Sequence, residues 1–328
     1  MYVNPKSETY ETGDKHQMFA FKHDATDQTP QQIDYRYIGN DPYNYVYFNC
    51  DELQEGVEYN YAESCEVWRI IGVFDVEREI DDEENPGEKK TITEQRIKLV
   101  RGNTFETDMK WDSSQKNDWT NASLQLFLNN SYLNRTDDAS SYGLKPSANS
   151  MIDEAKYYLG SISSDYNDTA RYGSTEKIYG EERGNVVCIA CNNNIDKLTW
   201  TGKVSLMYPS DEYMTYAKGV DEVCYNDPSS CSPKDSNGNS RENPGYPGKS
   251  WVYNSNHKAS WFLIDYVVLI SPSVANRYNS CIILNNGVFS GGGITSVEYS
   301  VRPVVYLSSS VQIFDGDGSE GNPYKLKK

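Results

Sequence analysis

The strongest constraint in this chain is the form of its apolar segments. They are short, several alternate with polar residues, and turn-forming residues separate them. Cys65-Glu-Val-Trp-Arg-Ile-Ile-Gly-Val-Phe74 reads as a strand, and Gln95-Arg-Ile-Lys-Leu-Val-Arg101 as its alternating partner, with the acidic stretch Asp75 to Lys90 as a long solvated loop between them. Tyr43 to Phe48, Asn185 to Ala190 and Thr201 to Tyr208 read as further strands. Trp261 to Ile270 is the most apolar segment, and Cys281–Leu284, Val288–Phe289 and Val301–Leu307 look like the last core strands. Phe314 to Tyr324 reads as a turn joining two short strands, and residues 224–249 as a long surface loop.

Two segments carry helix signals. Ser123 to about Tyr132 places Leu124, Phe127 and Leu128 near helical spacing. In the second, Ser150 reads as a cap, Asp153 as its capping-box partner and Gly160 as the stop. Strand and helix never alternate in the βαβ manner, so the expected class is α+β: short twisted antiparallel strands, two helices and long loops. Residues 1–33 lack sustained periodicity and read as an extended tether, with the folded domain over 34–328.

Charge and cysteine usage narrow the function. There are 48 acidic residues against 31 basic ones. That surface repels nucleic acid and anionic membranes. No apolar run approaches the roughly 20 residues that cross a bilayer, so any membrane attachment is through an anchor absent from this chain. Cys50 and Cys65 bracket a polar stretch between two apolar runs, and Cys224 and Cys231 bracket a turn-rich loop. Both pairs read as disulfides, which places the chain in an oxidising, extracellular compartment. Cys188, Cys191 and Cys281 compete for one further bond. Tyrosine is abundant, at 27 residues, and serves both binding loops and sheets.

No catalytic constellation emerges. Cys188-Ile-Ala-Cys191 has zinc-like spacing but no second ligand pair follows it. Asp315-Gly-Asp317-Gly-Ser319 resembles the start of a calcium loop, yet Leu326 stands where the closing Glu is required. Turn chemistry accounts for that stretch, and no cofactor is expected. His257 is the one histidine expected inside the folded region, with no indicated relation to Cys281. Trp68, Trp200 and Trp261 are expected in the core, Trp111 and Trp119 nearer the surface. Arg302, before Pro303, is expected to serve as an ion-pair partner or a carbonyl anchor.

The motifs also occur in a familiar order. Asp34-Tyr-Arg-Tyr-Ile-Gly-Asn40 is followed by Tyr45-Val-Tyr-Phe-Asn-Cys50, Cys65 to Phe74 and Arg96 to Arg101. Asn117-Asp-Trp119, Met151 to Lys156 and Thr199 to Asp211 come next, then Trp261-Phe-Leu, Val301 to Leu307 and Gly318 to Tyr324. Over residues 34 to 326 this series resembles a family of uncharacterised, anchored surface proteins of Gram-positive gut bacteria. Their C-terminal half looks like a C-type-lectin-like domain of the formylglycine-generating-enzyme type. The resemblance implies a ligand surface just before the last core strand, here Val274 to Tyr299, with Tyr278, Asn279, Asn285, Asn286, Phe289 and Tyr299 as candidate contacts. The expected function is therefore a non-catalytic, cell-surface adhesion module for a protein or glycan. A pilus-like or surface-layer subunit is the alternative. A formylglycine-generating oxidase comes third, since Cys281 has no matching second cysteine.

Overall fold

The computed structural model describes residues 18–39, 41–52, 59–135, 143–162, 175–185, 198–215, 251–252, 266–272, 278–283 and 289–328. The first half contains β1 (Met18–His23), β2 (Gln32–Tyr37), β3 (Tyr45–Phe48), the one-turn α1 (Tyr61–Ser64), β4 (Glu66–Asp81), β5 (Lys89–Arg101) and β6 (Met109–Lys110). Then come α2 (Ser123–Phe127), continued by a π-helical turn over Leu128–Tyr132, α3 (Pro146–Ser150) and β7 (Ala155–Tyr158). After α4 (Thr175–Glu182), β8 (Thr199–Gly202), β9 (Val204–Ser205) and α5 (Pro209–Tyr213), the chain returns to strands. These are β10 (Val267–Pro272), β11 (Asn279–Ile283), β12 (Phe289–Ile294), β13 (Glu298–Tyr299), β14 (Val304–Tyr306), β15 (Gln312–Asp315) and β16 (Lys325–Lys327).

The class is α+β: strand-rich, with several antiparallel sheets and few, short helices. The main sheet runs β1-β2-β4-β5-β14-β9. Strand β4 organises it. One edge pairs along its length with β5, while the other is shared by β2 near Val73 and β3 near Trp68. The partition falls where β4 bulges between Ile70 and Gly72. Gly72 has to be glycine, because a Cβ there would stand 2.1 Å from the Tyr35 carbonyl oxygen of β2. At the same corner Asn44 donates to the Ile70 carbonyl and accepts from Arg69 Nε at 2.6 Å. Trp68, Ile70, Leu99, Val100, Val304 and Val305 fill the sheet's centre with no exposed area.

Several sequence expectations are revised. The folded body includes β1, which pairs residue by residue with β2, so residues 18–33 are not a tether. Phe19 and Phe21 are buried in a small cluster with Ile38, Tyr179 and Met214, and His23 is buried beside them. A polar flank hid a six-residue amphipathic strand. The β4–β5 hairpin is also longer than expected. Pairing continues from Asp75↔Gln95 to Asp81↔Lys89, because opposed charges and β-branched residues face each other across it, and only a short turn remains.

The helix expected from Ser150 to Gly160 is instead the end of α3 followed by β7. Ile152, Ala155 and Leu159 fit helical spacing while Ala155 and Tyr157 fit a period of two, and β8 decides between them by pairing Tyr157 with Trp200. Gly160 permits close approach to the end of α4: a Cβ would lie 2.1 Å from the Glu181 carbonyl oxygen. Thr201 to Tyr208 is not one strand. It breaks at Lys203, and Pro209 opens α5 rather than merely ending a strand. Trp111 and Trp119 are buried, their rings 5.3 Å apart. Trp111 Nε1 donates to the Leu269 carbonyl at 3.0 Å, which removes the cost of burying the indole N–H. Of the expected strand Asn185–Ala190 only Asn185 is described, and residues 186–190, 224–249 and Trp261 lie outside the described residues.

Two expectations about particular side chains hold among others. Cys50 and Cys65 form a disulfide, and Arg302 anchors carbonyls, donating to Arg101 O at 2.9 Å and to Val252 O and Gly102 O at 3.4 Å. Cys188, Cys191, Cys224 and Cys231 lie outside the described residues, and Cys281 is a buried free thiol.

Two stability measurements test this architecture. Phe21→Ala should cost about 3 kcal/mol in urea unfolding, whereas an unfolded tether would give no change. Replacing Cys50 and Cys65 together by serine releases a link spanning 15 residues and should cost about 3 kcal/mol. Equal melting temperatures for the variant and the parent would remove the strap from the structural account.

Candidate functional site

The segment before the last core strand presents an apolar surface. Asn279 begins β11 opposite Ile294, the last residue of β12, and the Thr295 amide donates to the Tyr278 carbonyl at 2.8 Å. Register thus brings Tyr278 and Ile294 to one end of the β10-β11-β12 sheet, and Val297 follows in the turn to β13. Tyr278 is 41 % exposed, Ile294 48 % and Val297 45 %. Of the seven large hydrophobic residues exposed among the described residues, three are in this short stretch. Three exposed apolar side chains near one end of a small sheet are candidate contact residues.

The expected contact residues separate. Tyr278 and Asn279 stand at the patch, Asn279 partly buried with its carbonyl accepting from Asn117 Nδ2 at 3.1 Å. Tyr299 turns inward. Strand alternation exposes Glu298 and sends the Tyr299 ring against Tyr266, centroids 6.4 Å apart. Phe289 opens β12 opposite Ile283. Asn285 and Asn286 lie outside the described residues. Ile294 and Val297, which the sequence reading passed over, are legible as apolar residues flanking the turn Thr295-Ser-Val297.

A second surface, which the sequence reading missed, lies beside the disulfide. Val46 and Phe48 of β3 point inward, leaving Tyr47 half-buried on the outer face. Tyr61 starts α1, its ring 5.7 Å from Tyr47 and 4.7 Å from Tyr59. The Tyr59 hydroxyl donates to the Asp51 carbonyl at 2.7 Å and so ties the two ends of the strap together. Two recesses share these three rings. One, of about 270 Å³, runs inward to Phe48, Met151 and Leu326. The other, of about 500 Å³, opens towards Asn60, Asn322 and Lys325. The alternation Tyr45-Val-Tyr47-Phe within a strand was the available signal. A third recess, about 600 Å³, is lined by residues of both charges, including the paired Lys156 and Glu77 at 2.7 Å.

A separate cluster of titratable groups is sealed inside. His23 Nε2 lies 3.1 Å from Asp34 Oδ2, and its ring stacks on Tyr179 at 3.6 Å. Arg36 pairs with Asp34 at 2.9 Å and with Asp211 at 3.0 Å, and Lys98 with Asp211 at 2.5 Å. Glu182 accepts from Arg183 at 2.9 Å and from the Ser210 amide and hydroxyl at 2.7 Å each. Burial opposes ionisation of Asp34, but Arg36 and His23 outweigh it and hold the carboxyl at about 2. For Glu182 burial prevails over Arg183 and raises the carboxyl to about 7. Burial also pushes the Cys281 thiol well up, away from the thiolate form that a nucleophile needs. Among the described residues no group of three potential metal ligands converges. These buried groups join β1, β2, β5, α4 and α5. The histidine that packs into the folded body is His23, and His257 lies outside the described residues.

Compared with protein-family models, curated proteins and solved structures, the chain matches none of them. The geometry above therefore carries the functional argument alone.

Glu182 also sets a pH dependence. Its folded pKa of about 7 exceeds the ordinary 4.5, so the native state holds this proton more tightly than the unfolded chain does. The resulting stability is complete below 4.5 and is lost as pH rises through 7. The stability difference between the parent and Glu182→Gln should fall, on the order of 1–3 kcal/mol, between pH 4.5 and 7.5. A difference that stays flat across that range would show Glu182 ionised without penalty.

Proposed function

We propose that this protein is a non-catalytic ligand-binding and adhesion module of C-type-lectin-like design, displayed outside a Gram-positive bacterium and holding a protein or glycan. The observation that carries this reading is the exposure of three large apolar side chains, Tyr278, Ile294 and Val297, in the segment just before β14. Tyrosine with neighbouring aliphatic residues offers contact area at low rotamer cost, and desolvating it drives association. The rest of the described molecule supports a rigid platform. The patch is borne by a small antiparallel sheet whose β10 and β11 side chains enter the main core. The Cys50–Cys65 disulfide suits an oxidising compartment. A net charge of -17 argues for a partner other than nucleic acid. The tyrosines at the strap offer a second face suited to sugar rings.

The experiment is a glycan and protein array probed with the folded domain, followed by titration of the strongest partner. Combining Tyr278→Ala with Val297→Ser should weaken binding at least tenfold, about 1.4 kcal/mol, with melting temperature unchanged. Undiminished affinity would move the ligand elsewhere, and loss only in Tyr61→Ala would place it at the strap. Filament formation with no array signal would favour a structural subunit and end the adhesion reading.

A further inference from the structure

We propose that Lys98 and Asp211 condense to an intramolecular isopeptide bond, fastening β5 to α5. The two residues are 113 apart in sequence, and neither side chain has exposed area. The Lys98 Nζ stands 2.5 Å from Asp211 Oδ2. Distance alone does not single this pair out, since the surface pairs Lys89–Asp81 and Lys325–Asp315 have the same separation. Those two are partly or largely exposed, so solvent competes for both charges. Lys98 is enclosed: its Nζ lies 4.5 Å from the Tyr208 ring centroid, 5.2 Å from Phe74 and 5.3 Å from Tyr306.

Three features of the enclosure favour the amide. First, burial lowers the Lys98 pKa despite Asp211, which brings the amine nearer the neutral form that attacks a carbonyl. Second, Arg36 NH1 donates to the other oxygen, Oδ1, at 3.0 Å. A cation there holds the negative charge that develops on Oδ1 when the amine adds. Third, condensation removes one buried positive and one buried negative charge, whose desolvation is costly. Asp34 remains paired with Arg36. Holding Nζ against the Asp211 carboxylate supplies the effective concentration that a free amine and carboxylate lack.

The step needs no outside reactant. A bond forms between Nζ and Cγ of Asp211, and the Cγ–Oδ2 bond breaks. Of the three ammonium hydrogens, one stays on the amide nitrogen and two leave with Oδ2 as water. Nothing is oxidised or reduced.

Intact-mass measurement of the reduced, full chain tests this. The parent should be lighter than its sequence by one water. Tryptic digestion should give a single branched species containing Lys98 and Asp211, uncleaved after Lys98. Asp211→Asn should form the same bond with loss of ammonia, and its linked mass should equal the parent's. Lys98→Arg, which keeps the charge but has no competent nucleophile, should show its full sequence mass. Unlinked Lys98 and Asp211 peptides in parent protein of full mass would overturn the proposal, whether or not the variants fold.

Discussion

Asp211 is the point at which the main sheet and the helical end of the molecule are joined. Its two oxygens take Arg36 from β2 and Lys98 from β5, and Oδ2 also accepts from the Tyr208 amide at 2.9 Å as α5 begins. Burial opposes the charge on Asp211, and the two cations more than offset that opposition, so its carboxyl is held below the usual range. A lone charge at this depth would cost several kcal/mol, and removal of any one partner would expose that cost. The arrangement is consequently specific about neighbours. It fits only if β2 and β5 flank β4 in the observed order and α5 closes over them.

The same logic recurs at smaller scale. Arg302 is buried among carbonyl oxygens, and burial together with Arg69 lowers it to about 9. Arg69 is likewise lowered, to about 10, with its guanidinium 3.6 Å above the Tyr45 ring and its Nε on Asn44. Apolar packing supplies most of the cohesion, with Trp68, Ile70 and Leu99 at the sheet's centre. Tyr278, Ile294, Val297 and the tyrosines of the strap lie outside that interior.

Much of this was readable where local pattern and tertiary outcome agree. Gln95 to Arg101 alternates in sequence and in the sheet, and Cys50 and Cys65 bracket a strap that the structure closes. Reading failed where a partner distant in sequence decides. Residues 155–158 could be helix or strand until β8 is beside them. Trp111 and Trp119 sit among Asp112, Asn117 and Asp118, which looked like a solvated stretch. Asp112 instead takes the amides of Lys116 and Ser123, so its polarity serves the turn and says nothing about the indoles. At the candidate patch, Tyr278 was legible and Tyr299 was misassigned, because the strand that fixes its face, β6, is about 190 positions away (from 299 back to 109).

Gly72 has an implication for how this sequence can vary over time. A side chain there would enter the Tyr35 carbonyl and unseat β2, and with it β1 and the charges that meet Asp211. The hydrogen atom at that one position is therefore a hinge of heredity. A sequence that replaces this glycine must rebuild the pairing of β2 with β4, and with it the amino-terminal margin of the sheet.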